Sequence, residues 1–422
     1  MSDYSDDTDS DTEPGVLEAE AAQGSDDEKV YDPEAGEVDE DPISAQEALR
    51  YFGADFDVDG LIRRLNNGNF VIPNFDPAVE TSEGVAGFQR KFVWTKKQMD
   101  RFIESILLGY PVPGIFLVER PDRTYLVLDG QQRLRTLQLF YSGRYWQGEQ
   151  ERVFRLAAVG EKFKRLTYDG LGATEKNLFS NTFIQATVVV PKNHNMAGVY
   201  ALFERINSGG TNLQSHEIRV ALYSGVVINE IRELNHSPDW RELFSPKPHS
   251  RLKDNELILR HFALRPIAER LSKFGWDEEA AKSEFLLENG KDTAIPPNFY
   301  RPPMATFLNS YLAQHVELDE EVRSAANYFG LTCNLIVQQI GPRALKIRGG
   351  SQVNAAHTDA LLTAISLNME RGTLIAIDDI GAAYSSLLED DDYKKAISDS
   401  TSHKDMVLQR LKVAYLAFSD AQ

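Results

Sequence analysis

Leu128-Asp129-Gly130-Gln131-Gln132-Arg133 closes the apolar run that starts at Tyr125. It precedes Leu134, Leu137, Leu139 and Phe140, which are spaced along one face of a helix. The stretch therefore reads as a strand, a tight glycine turn and a helix. A helix that starts straight after such a turn points its first backbone N–H groups outward, where they favour a bound phosphate. Gly130 lets the main chain approach a ligand closely, and Arg133 adds a forked donor in the first helical turn. Asp129 is placed to hold a divalent cation or orient a water. The glycine spacing and the Gly-Lys-Ser/Thr ending of a Walker A loop are absent.

Working outward, Pro111-Val112-Pro113 leads into a strand over Ile115–Val118, and Pro121-Asp122-Arg123 turns the chain back into Tyr125. Thr95 and Gln98 form a capping-box pattern that opens a helix carrying Phe102, Ile103, Ile106 and Leu107 on one face and ending at Gly109. Upstream, a short helix is expected from Ser44 and a second from Asp57 to Leu65. A short strand then falls over Phe70–Pro73, and a mobile stretch over Asp76–Gly87. Downstream, Phe183–Val190 reads as a buried strand closed by Pro191. Met196–Ile206 is helical, Asn207-Ser208-Gly209-Gly210 breaks it, and Ser215 starts a helix to Tyr223. From about Gly225 helical periodicity takes over, interrupted at Ser245–Pro248 and Ala294–Pro297. The expected fold class is α+β: an N-terminal domain over 44–224, then an α-helical domain over 225–422.

The net charge of −19 is unevenly distributed. Residues 1–42 hold 17 Asp or Glu and one basic residue, Lys29, whereas the rest of the chain holds 47 acidic and 44 basic side chains. Low hydrophobicity and high charge predict that residues 1–43 stay disordered, as a solubilising extension or as a phosphate mimic competing for the protein's own basic surface. Residues 88–165 carry 15 Lys or Arg against 8 Asp or Glu, an excess that favours a phosphate-bearing ligand. The single cysteine, Cys333, sits in an apolar run and reads as a buried thiol. The lack of a long apolar run and of a signal-like N-terminus points to a cytoplasmic protein.

Two further segments stand out. Phe203-Glu204-Arg205-Ile206-Asn207-Ser208-Gly209-Gly210-Thr211 reads either as a capped helix end or as a loop closing over phosphate and metal. Phe88-Gln89-Arg90-Lys91-Phe92-Val93-Trp94 interleaves aromatic and basic residues as nucleotide- or nucleic-acid-binding segments do, or is a solvated edge with buried aromatics. The eight histidines show no zinc-motif spacing. His216 is expected on the surface at a helix start.

Taken together, these three blocks resemble, in order, the N-terminal domain of GmrSD-type modification-dependent restriction proteins, within the wider ParB/sulfiredoxin-like fold. The resemblance covers roughly residues 55–225. It implies nucleoside triphosphate binding and hydrolysis with Mg2+ or a similar cation, and a role in sensing or cutting foreign DNA. Asp129, Gln131 and Gln132 would then serve the chemical step. Gly130, Arg133, Arg90, Asn207, Ser208, Gly209 and Gly210 would bind the nucleotide, and Asp129 and Glu204 the metal. The His-Ile-X-Pro-type nuclease motif of full restriction proteins is not matched by His357-Thr358-Asp359 or by His236-Ser237-Pro238-Asp239. DNA cleavage is therefore expected from a separate nuclease or effector.

Overall fold

The computed structural model describes residues 27–32, 49–72, 94–120, 122–147, 150–192, 196–206, 215–223, 225–289, 299–347 and 350–420. The expected helix at Ser44 lies mostly outside them, and the Asp76–Gly87 stretch and the Ala294–Pro297 break lie wholly outside them.

A five-stranded mixed sheet organises the N-terminal half. It comprises β2 (Arg50–Asp57), β3 (Phe70–Val71), β4 (Ile115–Glu119), β5 (Tyr125–Asp129) and β8 (Phe183–Val190), in the order β2-β8-β4-β5-β3. β1 (Val30–Tyr31) pairs with β9 (Val353–Asn354), and β6 (Arg144–Gln147) with β7 (Gln150–Val153) in a hairpin. β4 runs antiparallel to β5 and parallel to β8, so three of the sequence-predicted strands occupy the middle of the sheet, and the fourth, expected over Phe70–Pro73, lies at its edge as β3.

Four helices cover one face: α1 (Val58–Asn66), α2 (Lys96–Leu107), α3 (Gln131–Ser142) and α4 (Ala173–Asn181). The two-residue period of the strands decides which side chains meet them. Leu117, Val127, Ile184, Ala186 and Val188 point to this face and pack with Leu61, Ile103, Ile106, Leu134, Leu137, Phe140 and Phe179. Val118, Leu126, Leu128 and Val189 point the other way, into a second core. A sheet buried on both faces explains the nearly unbroken apolar run in β8.

The cap read from the sequence is present, and the helix expected from Asp57 proves to be capped by that residue. Asp57 accepts from the Gly60 N–H at the start of α1, and the Thr95–Gln98 capping box opens α2. β2, the β6–β7 hairpin and α4 were not expected. The sequence of β2, RYFGADFD, is largely exposed at the sheet edge, so it lacks the apolar alternation that marks a strand.

The second core is the helical body. Its helices are α5 (Ala197–Ile206), α6 (Ser215–Leu222), α7 (Val226–Asn235), α8 (Pro238–Leu243), α9 (Lys253–Lys273), α10 (Glu278–Asn289), α11 (Met304–Gln314), α12 (Glu320–Gln339), α13 (Ala355–Arg371), α14 (Ile380–Leu387), α15 (Asp391–Ser398) and α16 (Lys404–Ala417). α13 lies at its centre, buried continuously from Ala355 to Asn368 and packed on α9, α12 and α16. Small residues such as Ala360, Ala364 and Ser366 let those neighbours approach. Val199 and Phe203 of α5 and Ile218 of α6 belong to this core, so two helices grouped by sequence with the N-terminal domain pack into the helical body.

Two expectations are corrected here. Residues 27–32 of the acidic extension are placed by strand pairing and ion pairs rather than left unstructured. The strand β9 also falls within the region read as wholly helical. No helix among the described residues is long and apolar enough to cross a membrane.

Candidate functional site

The Asp129–Arg133 block folds as the sequence dictates. Leu126 and Leu128 anchor β5 in one core and Val127 in the other, which fixes the end of the strand. Gly130 takes the left-handed conformation, φ 95°, and α3 starts on the next residue with no side-chain cap. A Cβ at Gly130 would stand 2.4 Å from Ile115 Cγ2, so both the backbone angle and the close approach to β4 require glycine here. The first intrahelical bond runs from the Leu134 N–H to the Gly130 carbonyl, leaving the N–H groups of Gln131, Gln132 and Arg133 at the open end of the helix.

The side chains divide into two groups. The Asp129 carboxylate is 46% exposed. Arg133 is 13% exposed and engaged on both sides: Nη2 donates to Asp129 Oδ2, while Nη1 donates to the carbonyls of Pro113, at 2.8 Å, and Gly114. Arg133 thus holds the Pro113–Gly114 segment against α3. That segment is itself confined, since a Cβ at Gly114 would meet the Gln185 carbonyl oxygen at 2.7 Å. Gln131 Nε2 donates to the Val127 carbonyl at 3.3 Å, and Gln132 Oε1 accepts from the Trp94 N–H at 3.4 Å.

That last bond joins two of the three sequence blocks. Trp94, whose ring meets Phe102 edge-on at 5.4 Å, places the end of the Phe88–Trp94 block beside Gln132. Arg90 lies outside the described residues, as do Asn207, Ser208, Gly209 and Gly210. Glu204 belongs to the backbone of α5, but its side chain is outside the described set.

Sequence reasoning passed over Arg135, half-buried on α3. Burial lowers its guanidinium to about 10, and it donates to Gln138 Oε1 at 3.2 Å. It also missed the Pro113–Gly114 carbonyls; the signal was the Pro111-Val112-Pro113-Gly114 run, read only as a connection. His216 is not on the surface. It is fully buried, accepts at Nδ1 from Arg219 at 2.9 Å, and burial followed by the Arg219 charge lowers it to about 3. Cys333 is buried as expected, and burial raises its thiol.

Among the described residues, no group of three His, Cys, Asp or Glu side chains is arranged to hold a metal ion. A magnesium ion that arrives with phosphates needs only one or two protein carboxylates. The half-exposed Asp129, at the open end of α3, fits that more limited role.

Neither a curated protein nor a solved structure matches the chain. Residues 60–224 match the family model described as the GmrSD restriction endonuclease, N-terminal domain. The matched span runs from α1 to the end of α6 and contains the sheet from β3 to β8, the Asp129–Arg133 turn and both flanking blocks. Over residues 60–224 this chain is accordingly similar to the N-terminal domain of GmrSD restriction endonucleases.

Proposed function

We propose that the Asp129–Arg133 turn binds the phosphates of a nucleoside triphosphate and supports its hydrolysis, in a DNA-directed, restriction-like defence or DNA-processing role with a separate nuclease or effector. The observation that carries this reading is the uncapped start of α3 behind Gly130, beside an exposed carboxylate, inside a span similar to a restriction domain. The first-turn N–H groups would face phosphate oxygens, and Gly130 permits the close approach. Arg133 would add charge by turning one Nη from a backbone carbonyl toward phosphate. Gln131 and Gln132 carry amides suited to orienting the attacking water. Arg90 and the Asn207–Gly210 loop would complete the phosphate contacts, an assignment that rests on the family match. Asp129, with Glu204 as a second candidate, would hold Mg2+, which when bound neutralises phosphate charge.

One observation favours a second reading. Arg133 already satisfies three acceptors within the fold, which suits a ParB-like adaptor that binds nucleotide and DNA without useful turnover. Titration calorimetry with ATP, GTP, CTP and UTP, each with Mg2+, tests the shared claim. Saturable heat from at least one of them is expected. A folded protein that binds none of the four contradicts both readings, and binding without phosphate release selects the adaptor.

A further inference from the structure

The acidic extension is the part of the chain whose composition promises least structure, yet residues 27–32 are docked on the helical body by six separate contacts. Asp27 accepts from the Ser250 N–H at 3.1 Å and from the Ser250 hydroxyl. Glu28 pairs with Lys346 at 2.9 Å. The Lys29 carbonyl accepts from the Val353 N–H at 2.9 Å, which starts the parallel β1–β9 pairing. The Tyr31 hydroxyl donates to the Ser398 carbonyl at 3.0 Å, and Asp32 pairs with Arg260. Asp32 and Arg260 are each only 6% exposed, so this pair is the buried end of the segment.

Arg260 is also the hub of a longer chain of charges. Its Nη2 donates to Glu256 Oε1 at 2.9 Å, and its Nη1 lies 4.0 Å from Asp359, which Arg410 grips with two bonds of 2.9 and 3.0 Å. The second oxygen of Glu256 faces Arg219 of α6 at 3.5 Å and His216 of α6 at 3.9 Å. Arg219 in turn donates to Asn309 at 2.8 Å. Four buried charges, Asp32, Arg260, Glu256 and Arg219, thus run from the acidic extension to the last helix of the matched span. In a low-dielectric interior such neighbours do not act independently. Removing the Asp32 carboxylate leaves Arg260 to draw more on Glu256, and so weakens the hold of Glu256 on Arg219.

We infer that residues 27–32 form a displaceable strap whose docking is energetically coupled, through Arg260 and Glu256, to the stability of α6. The strap is short, pairs through a two-residue strand and leaves Arg260 with two carboxylates when it departs, so its release does not strand a buried charge. It also ties residues 1–26, which hold nine acidic and no basic side chains, to the helical body. The state of the extension would in this way reach the helix that follows the Asn207–Thr211 segment, with no need for nucleotide.

Hydrogen exchange on the full-length protein, without nucleotide, tests this independently of the proposed activity. The Val353 amide reports strap docking directly, and the amides of residues 215–222 report α6. Two variants release the strap by different means: Asp32→Asn removes the buried charge, and Tyr31→Pro breaks the strand pairing while keeping Asp32. Both are expected to speed exchange at Val353 and in α6, by about tenfold where a charge-assisted bond is lost. Raised exchange at Val353 with α6 unchanged in both variants would overturn the coupling. Unchanged exchange at Val353 in both would overturn the strap itself.

Discussion

Arg133 and Asp129 are ion-paired across the first turn of α3, and the same guanidinium bonds the carbonyls of Pro113 and Gly114. One side chain therefore both completes the turn and latches the start of β4 to it. The sequence places Arg133 as a phosphate ligand; the structure gives it a share in stability as well. Arg133→Ala should cost roughly 1.5–3 kcal/mol, the range of charge-assisted hydrogen bonds, and lower nucleotide affinity by about ten- to a hundredfold. Arg133→Lys keeps the charge but not the fork, so it should fall between the two. Denaturant unfolding of both variants measures the first effect. A wild-type midpoint for Arg133→Ala would show that the latch carries no stability.

Gly130→Ala tests how far the turn depends on its glycine. The substituted residue must accept φ 95° and a methyl 2.4 Å from Ile115 Cγ2. Left-handed strain costs about 1–2 kcal/mol and overpacking about 1–3 kcal/mol, so the variant should lose roughly 2–5 kcal/mol. Its melting temperature should drop visibly in a thermal scan. An unchanged scan would mean that β4 and β5 are not held as close as described.

Much of this arrangement is legible in the sequence, because local chemistry sets it. Thr95 with Gln98, Asp57 before α1 and Gly130 before α3 each leave a signature that needs no tertiary context. The edge strand β2 hides because its backbone pairs with β8 along its whole length while Tyr51 and Phe52 stay exposed, which leaves no buried apolar alternation to read. Burial of His216 and Glu217 depends on partners such as Arg251 and Glu256, more than thirty residues away along the chain. The strap was unreadable for the opposite reason. Its composition argues for disorder, and only the docking surface made by Ser250, Arg260, Lys346 and Val353 overrides that.

Acid should destabilise the helical body through its buried histidines. Burial lowers His216 and His261 to about 3 and His357 to about 4. His357 is fixed neutral by accepting from the Tyr393 hydroxyl at 2.8 Å and donating to the Ala344 carbonyl at 2.9 Å. Below pH 6.5 the unfolded chain takes up these protons while the folded chain does not. Stability therefore falls with pH through the window from 6.5 down to these depressed values, by up to about 1.4 kcal/mol per pH unit for each histidine. Burial works against it, but Lys253, Arg260 and Arg219 hold Glu256 well below the usual carboxylate range, which adds to the loss below pH 4.5. Asp359, raised by burial, offsets part of it. Urea unfolding at pH 7.5 and 5.0 should show a much lower midpoint at the acid value. His357→Gln should reduce that difference without abolishing it, since His216 and His261 still contribute, and equal midpoints in the wild-type protein would contradict the assignment.

The most direct test of the nucleotide site separates binding from turnover at Asp129. Its carboxylate is half exposed and partly neutralises Arg133. Asp129→Ala should keep the fold, leave nucleotide binding intact or tighter through lost repulsion, and lower phosphate release by orders of magnitude, as expected for a group that acts through metal or water. Calorimetry and phosphate release on the same preparation give both readings. Phosphate release at the wild-type rate from a folded Asp129→Ala protein would show that the turn is a structural element and that the chemistry, if present, lies elsewhere.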